Sequence, residues 1–262
     1  MMRNRKASDR VTSAALSSGV IFIVLLGAWE HASRTLGLSE LVLPAPSSVA
    51  RSLVRGLASG FLWPHIAATL IELVIGTVLG CAIGFGVGIA MAESKRARDI
   101  LMPYVVVSQV VPKLALAPLF ILWFGFGMTS TIVITALICF FPLLENTMTA
   151  LTHVAPERLE LFRMLDATRM QTLLRLKIPA GLPLILAGVR VAIVLALVGA
   201  VVGEFIGASR GLGALVVAAQ GSMDTAQMFA VLALIALIGM VAYFAVVSIE
   251  RRLLVPYLGV RE

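Results

Sequence analysis

Six apolar runs, near 11–30, 66–92, 101–124, 129–151, 184–206 and 227–249, leave this chain of 262 residues little choice of fold. About 20 such residues cross a hydrocarbon core of about 30 Å as a helix, which satisfies every backbone group internally. With 60% hydrophobic residues, 13% charged ones and a mean hydropathy of +1.00, the chain carries more apolar surface than a soluble domain of this length buries. The expected architecture is all-α: a polytopic membrane protein with six transmembrane helices in one domain (11–250), between a basic N-terminus (1–10) and a C-terminal tail (251–262).

Orientation follows from Lys and Arg, which concentrate in cytoplasmic segments. With the N-terminus inside, the inner segments hold Arg3 to Arg10, then Lys95, Arg96 and Arg98, then Arg158, Arg163, Arg169, Arg175 and Lys177, then Arg251, Arg252 and Arg261. The outer segments hold Arg34, Arg51, Arg55 and Arg210. Both termini are therefore expected in the cytoplasm. The run 11–30 reads as a span and not as a secretory signal, because it exceeds the usual apolar length and the later loops fix the same orientation. The net charge of +7 calls for no nucleic acid, since basic inner loops beside anionic lipid account for it.

Site chemistry is sparse. There is no GxxxxGK[ST] phosphate loop, so the chain is not expected to hydrolyse nucleotide by itself, and no HExxH, CxxC or GxSxG motif suggests an enzyme or a cofactor. His31, His65 and His153 sit at segment edges. Cys81 and Cys139 fall inside apolar runs as small hydrophobes, giving neither a disulfide nor a metal site.

Two ridges of small residues stand out. Gly76, Gly80, Gly84 and Gly88 recur every four residues on one helical face, with Glu72 one step before them; Gly188, Ala192, Ala196 and Ala200 repeat the pattern, with Glu204 one step beyond. Such ridges let helix backbones approach closely. The two acids point into the bundle, either as packing near the interface or as part of a solute path; both readings stand.

Three more intramembrane charges, Lys113, Glu145 and Arg190, call for pairing or cavity exposure. Lys113 lies deeper than Glu145, so a pair between them requires snorkelling. These three, with Glu72 and Glu204, are the candidates for the translocation path. Pro103, Pro112 and Pro118 interrupt the third run, removing donors and favouring kinks.

The segment 152–183, THVAPERLELFRMLDATRMQTLLRLKIPAGLP, is a charged interruption between two spans. Pro156 suits a first helical turn, and Leu159, Phe162 and Leu165 form a short apolar stripe beside arginines. That helix should stop near Asp166. Thr168 and Gln171 fit a capping box for a second helix over about 169–177, ending before Pro179. The result is a helical knob in the cytoplasm, or an amphipathic loop resting on headgroups.

With these residues in view, the loop resembles the EAA motif of the permeases of bacterial binding-protein-dependent ABC importers, which reads EAA, three residues, G, nine residues, I, one residue, LP. Glu160 takes the acidic position and Leu176, Ile178 and Pro179 the terminal ones, while Leu161 and Phe162 replace the alanines and Asp166 the glycine. LVLPAPSSVARSL, PKLALAPLFILWFGFG, FFPLLENT and GEFIGASRGLGALV are similar to the subfamily importing nitrate, sulfonates, taurine or thiamine-precursor pyrimidines. The resemblance implies an inner-membrane homodimer of six-helix subunits whose EAA-type helix pair, between spans 4 and 5, docks an ATP-binding ABC subunit through Glu160, Leu161, Phe162, Asp166, Leu176, Ile178 and Pro179. It also implies a periplasmic or lipid-anchored solute-binding protein facing the outer segments. The rival expectation is a secondary transporter driven by an ion gradient, with Glu72, Glu145 and Glu204 as its ion sites.

Overall fold

The structure, a computed structural model, describes residues 2–35 and 39–258, with the side chains of 2–16, 18 and 255–258 outside that description. The described residues form helices and connecting loops without a strand, in the order α1 (Met2–Thr35), α2 (Pro46–Ala58), α3 (Trp63–Glu93), α4 (Lys95–Val110), a 3-10 turn (Lys113–Leu116), α5 (Ala117–Phe124) and α6 (Met128–Thr152). Then come α7 (Pro156–Met164), α8 (Arg169–Thr172), a π turn (Leu173–Lys177), α9 (Ile178–Gly207), α10 (Leu212–Gly221) and α11 (Thr225–Leu258). They divide into two compact units: one takes the described residues up to Phe61 with Val216–Ala233, the other Leu62–Leu215 with the described residues from Leu234.

In the first unit, the Glu30 carboxylate on α1 accepts hydrogen bonds from the Ser47 backbone N–H (3.0 Å) and the Ser47 hydroxyl (2.9 Å). An acid at that point satisfies a free donor in the first turn of α2 and complements the helix dipole. Trp29 packs on Phe229 with ring centroids 5.9 Å apart.

The second unit is organised around α6. On one side the glycine ridge of α3 lies against it, with Gly76 at Thr135, Gly80 at Ala136 and Cys139, Gly84 at Phe140, and Gly88 at Leu144 and Thr147. On the other side α9 brings Gly181 to Ala150, Gly188 to Asn146, Gly199 to Ile138 and Gly203 to Thr131. Both ridges read from the sequence are buried, and Leu73, Cys139, Ala192 and Ala196 form one buried cluster. Lipid tails are as apolar as leucine, so these helices gain from close van der Waals contact and not from hiding apolar surface.

Among the described residues four helices are long and apolar enough to cross a membrane: Trp63–Glu93, Met128–Thr152, Arg169–Gly207 and Thr225–Leu254. The expected third span is broken: Lys95–Val110 and Lys113–Phe124 meet at 87°. Pro112 sets the break, because the residue before a proline is driven to extended backbone, and Val111 takes φ −68° and ψ 124°. Pro103 stays within α4, and Pro118 sits in the first turn of α5 where its missing donor is harmless. The expected first span, 11–30, belongs to α1, but most of its side chains before Gly19 lie outside the described residues. The expected tail beyond Leu258 lies outside them too.

The second helix of the loop does not end before Pro179; α8, the π turn and α9 run on as one helix over Arg169–Gly207. In the π turn the Ile178 N–H reaches back to the Leu173 carbonyl, one residue further than in an α-helix. The widened turn absorbs the ring and the missing donor of Pro179, which would otherwise disrupt the ladder.

Candidate coupling surface and buried acid cluster

The connection from α7 to α8 is built by local chemistry. Pro156 opens α7, and Asp166 closes it in the left-handed region at φ 47°. The Asp166 N–H donates to the Arg163 carbonyl and the Ala167 N–H to the Phe162 carbonyl, both at 3.0 Å, which is the Schellman pairing. Two residues on, the Thr168 N–H donates to Gln171 Oε1 at 2.8 Å and the Gln171 N–H to the Thr168 hydroxyl at 3.3 Å, completing the capping box. Asp166 thus occupies the position that glycine would take, at a penalty of about 1 kcal/mol. Asp166→Gly is expected to slow local opening of this loop roughly fivefold in hydrogen exchange, and Asp166→Val to speed it. Equal exchange in the three proteins would refute the strained turn.

No residue of α7 is buried. Phe162 is half-buried, whereas Leu161 is 54%, Met164 83% and Leu165 68% exposed, with Glu160 and Asp166 also exposed. The expected stripe of Leu159, Phe162 and Leu165 is therefore split: the first two turn partly inward and Leu165 turns out. The remaining motif residues belong to packing. Leu176 is buried, and Ile178 and Pro179 are half-buried at the foot of α9. There Lys177 Nζ bonds Glu93 Oε1 at 2.6 Å, tying the loop to the end of α3, and the Arg98 guanidinium caps the Met91 and Ala92 carbonyls.

The two ridge acids meet. Glu72 and Glu204, each 1% exposed, are close neighbours at one end of α3 and α9. Glu204 Oε1 accepts from the Thr69 hydroxyl at 2.6 Å and Oε2 from the Gly213 N–H. Thr69 accepts in turn from the Leu212 N–H at 2.9 Å, and the Gly211 N–H donates to His65 Nδ1 at 3.1 Å. The turn between α9 and α10 is thus pinned to α3 by side chains that neutralise its free donors. Gly211, at φ 133°, and Gly213 lie so close to the Glu204 carboxyl that a Cβ at either would collide with it. A cavity of about 430 Å³ adjoins this cluster, bordered by Glu72, Ile71, Met128, Ser209 and Arg210.

The other sequence candidates scatter. Lys113 Nζ lies 5.0 Å from the centroid of the Phe141 ring, a cation–π contact, and no Lys113–Glu145 ion pair forms among the described residues. The break at Pro112 turns the Lys113 turn away from the straight path that such a pair assumed, and Glu145 is exposed on α6. Arg190 pairs with Glu250 of α11 at 2.6 Å and reaches Tyr243 as well. Sequence reasoning missed Glu250, Glu93, Thr69 and Gly213. Thr69 alone had a signal, since it sits on the stripe that carries Glu72 and Gly76.

This arrangement of helices is shared with known proteins. The chain matches, over residues 80–255, the family described as binding-protein-dependent transport system inner membrane component. It is 38% identical over 248 residues to the riboflavin transport system permease protein of Chloroflexus aurantiacus, covering 95% of this chain and 92% of that one. It is 34% identical to the formylaminopyrimidine transport permease protein of Halalkalibacterium halodurans, over 92% and 95% of the two chains. To the taurine transport system permease protein of Escherichia coli it is 33% identical, over 91% and 88%. A solved structure of the MetNI methionine ABC transporter in an inward-facing conformation superposes with a TM-score of 0.64 at 21% identity, covering 77% of this chain and 96% of that one. The chain belongs to the binding-protein-dependent transport system inner membrane component family, the permeases of ABC importers.

Proposed function

We propose that this chain is the membrane-spanning subunit of an ATP-driven importer, working as a homodimer of six-helix subunits with both termini in the cytoplasm. A solute-binding protein delivers a small solute to the outer face, and the loop 152–183 docks a cytoplasmic ATP-binding subunit. The observation that carries this reading is α7: a helix opened by Pro156 and closed by the Schellman bonds at Asp166 and Ala167, yet with Leu161, Met164 and Leu165 exposed among charged residues. On an aqueous loop such a patch marks a docking site. It leads through α8 and the π turn directly into the span α9, so movement of α7 is delivered to the bundle core without an intervening flexible linker.

The names of the relatives support a solute of the sulfonate, taurine or pyrimidine-precursor kind. Glu72 and Glu204 lie on the route of this solute, and hydrolysis belongs to the partner subunit. The test is co-purification with the ATP-binding subunit together with solute-stimulated hydrolysis, comparing the native chain with Glu160→Lys. Loss of both in the variant is expected; equal behaviour sinks the assigned role of α7. Uptake that survives loss of the ATP-binding subunit but collapses with the proton gradient favours the ion-driven rival instead.

A further inference from the structure

Glu93 sits where helix chemistry disfavours an acid. It is the last residue of α3, at the end where free carbonyls and the helix dipole already place negative charge. Two cations from different elements compensate. Arg98 of α4 donates from Nε to the Met91 carbonyl at 3.0 Å and from Nη2 to the Ala92 carbonyl at 3.4 Å, and Lys177 Nζ meets Glu93 Oε1 at 2.6 Å. The Lys177 and Glu93 side chains are only 17% and 26% exposed, so water and salt screen this pair less than a surface ion pair.

The position of Lys177 gives the pair its interest. It is the last residue of the π turn, so it stands where α7 and α8 feed into α9. Across 84 residues of sequence it reaches the end of α3, the other helix whose ridge seats on α6. Arg98 ties the same end of α3 to α4, the first arm of the broken span. Van der Waals packing resists approach strongly and separation weakly, whereas a charge-assisted hydrogen bond also holds its two ends together.

We propose that Glu93 and Lys177 are positioning residues of the transport cycle: the pair passes displacement of α7 to α3 and, through Arg98, to α4, so that the inner ends of α3, α4 and α9 move together. This rests on the reading of α7 as the docking helix for an ATP-binding subunit.

The test is pulsed electron paramagnetic resonance on the permease purified with that subunit, with Cys81→Ala and Cys139→Ala removing the native thiols. Spin labels go on Arg158→Cys of α7 or Asp99→Cys of α4, each paired with Thr129→Cys on α6; all three positions are exposed. On addition of a non-hydrolysable ATP analogue, both distances are expected to change when the charge pair is native. With Glu93→Gln or Lys177→Gln the Arg158 distance should still change, while the Asp99 change falls below half. Glu93→Lys combined with Lys177→Glu should restore it. A pair that only stabilises the fold would lower the unfolding midpoint and leave the two changes in step, which overturns the proposal. Single variants that cannot be recovered folded, or a reversed pair that restores nothing, overturn it as well. No change at Arg158 in the native complex strikes the docking reading and this inference with it. A change at Arg158 with an Asp99 distance indifferent to the charges strikes the pair alone.

Discussion

Replacing Gly84 by leucine is expected to abolish recovery of folded protein from the membrane, whereas leucine at Gly86, two residues away on the same helix, should change little. A Cβ at Gly84 collides with the Phe140 carbonyl oxygen and stands 3.2 Å from the Leu144 backbone nitrogen, while one at Gly86 meets nothing within 4 Å. Side chains can change rotamer to admit an extra group, but the backbone of a packed helix cannot, so α3 must lift off α6. Overpacking in a core costs about 1–3 kcal/mol when neighbours can shift, and here the obstacle is main chain and the intruder a full leucine, so about 3 kcal/mol or more is expected. The displacement would also part the helices that hold Glu72 and Glu204 together. Size-exclusion profiles of detergent extracts, with unfolding midpoints for whatever is recovered, give the comparison. Similar yields and midpoints for Gly84→Leu and Gly86→Leu would refute the close α3–α6 contact.

The second large effect is expected at α7. Substituting aspartate for both Leu161 and Met164 should leave the permease folded but unable to hold its ATP-binding subunit. These side chains are 54% and 83% exposed, so the isolated chain loses almost no packing when they change. In the proposed complex they are apolar anchors. Loss of an interface hot spot costs about 2 kcal/mol or more, so the pair, acting additively, weakens the complex roughly 10³-fold. Because α7 is secured by its own capping bonds, the helix should persist with the patch removed. Pull-down of the ATP-binding subunit, read beside an unchanged unfolding midpoint, is the measurement. Full retention of the partner by the double variant would place the docking surface elsewhere.

Much of the fold was legible because it is local. The spans announce themselves as apolar runs, the ridge of Gly76 to Gly88 repeats every four residues, and the capping box at Thr168 and Gln171 is written in four consecutive positions. Asp166 in place of a helix-closing glycine was also readable, and it adopts the left-handed conformation that this position demands. Proline misled at one point: Pro179 reads as a stop, yet the π turn at Leu173–Lys177 carries the helix through it. That outcome depends on how α9 packs at its foot, where Leu176 is buried and Lys177 is held by Glu93. The intramembrane charges were legible as an expense needing compensation but not by whom. Arg190 finds Glu250 on α11, and Lys113 finds an aromatic ring in place of an acid.

The sequence by itself determined an all-α membrane chain, the faces along which α3 and α9 pack, and a capped helical loop between two spans. These follow from periodicity and end chemistry acting within a few residues. Only the tertiary structure decided that Glu72 and Glu204 meet, since Thr69 and Glu204, 135 residues apart, come together only once α3 and α9 have both seated on α6. It also decided that Pro112 bends the third span by 87°, and that α7 leaves its apolar residues uncovered. Each of these depends on which surfaces remain after the ridges have closed, and no run of neighbouring residues encodes that remainder.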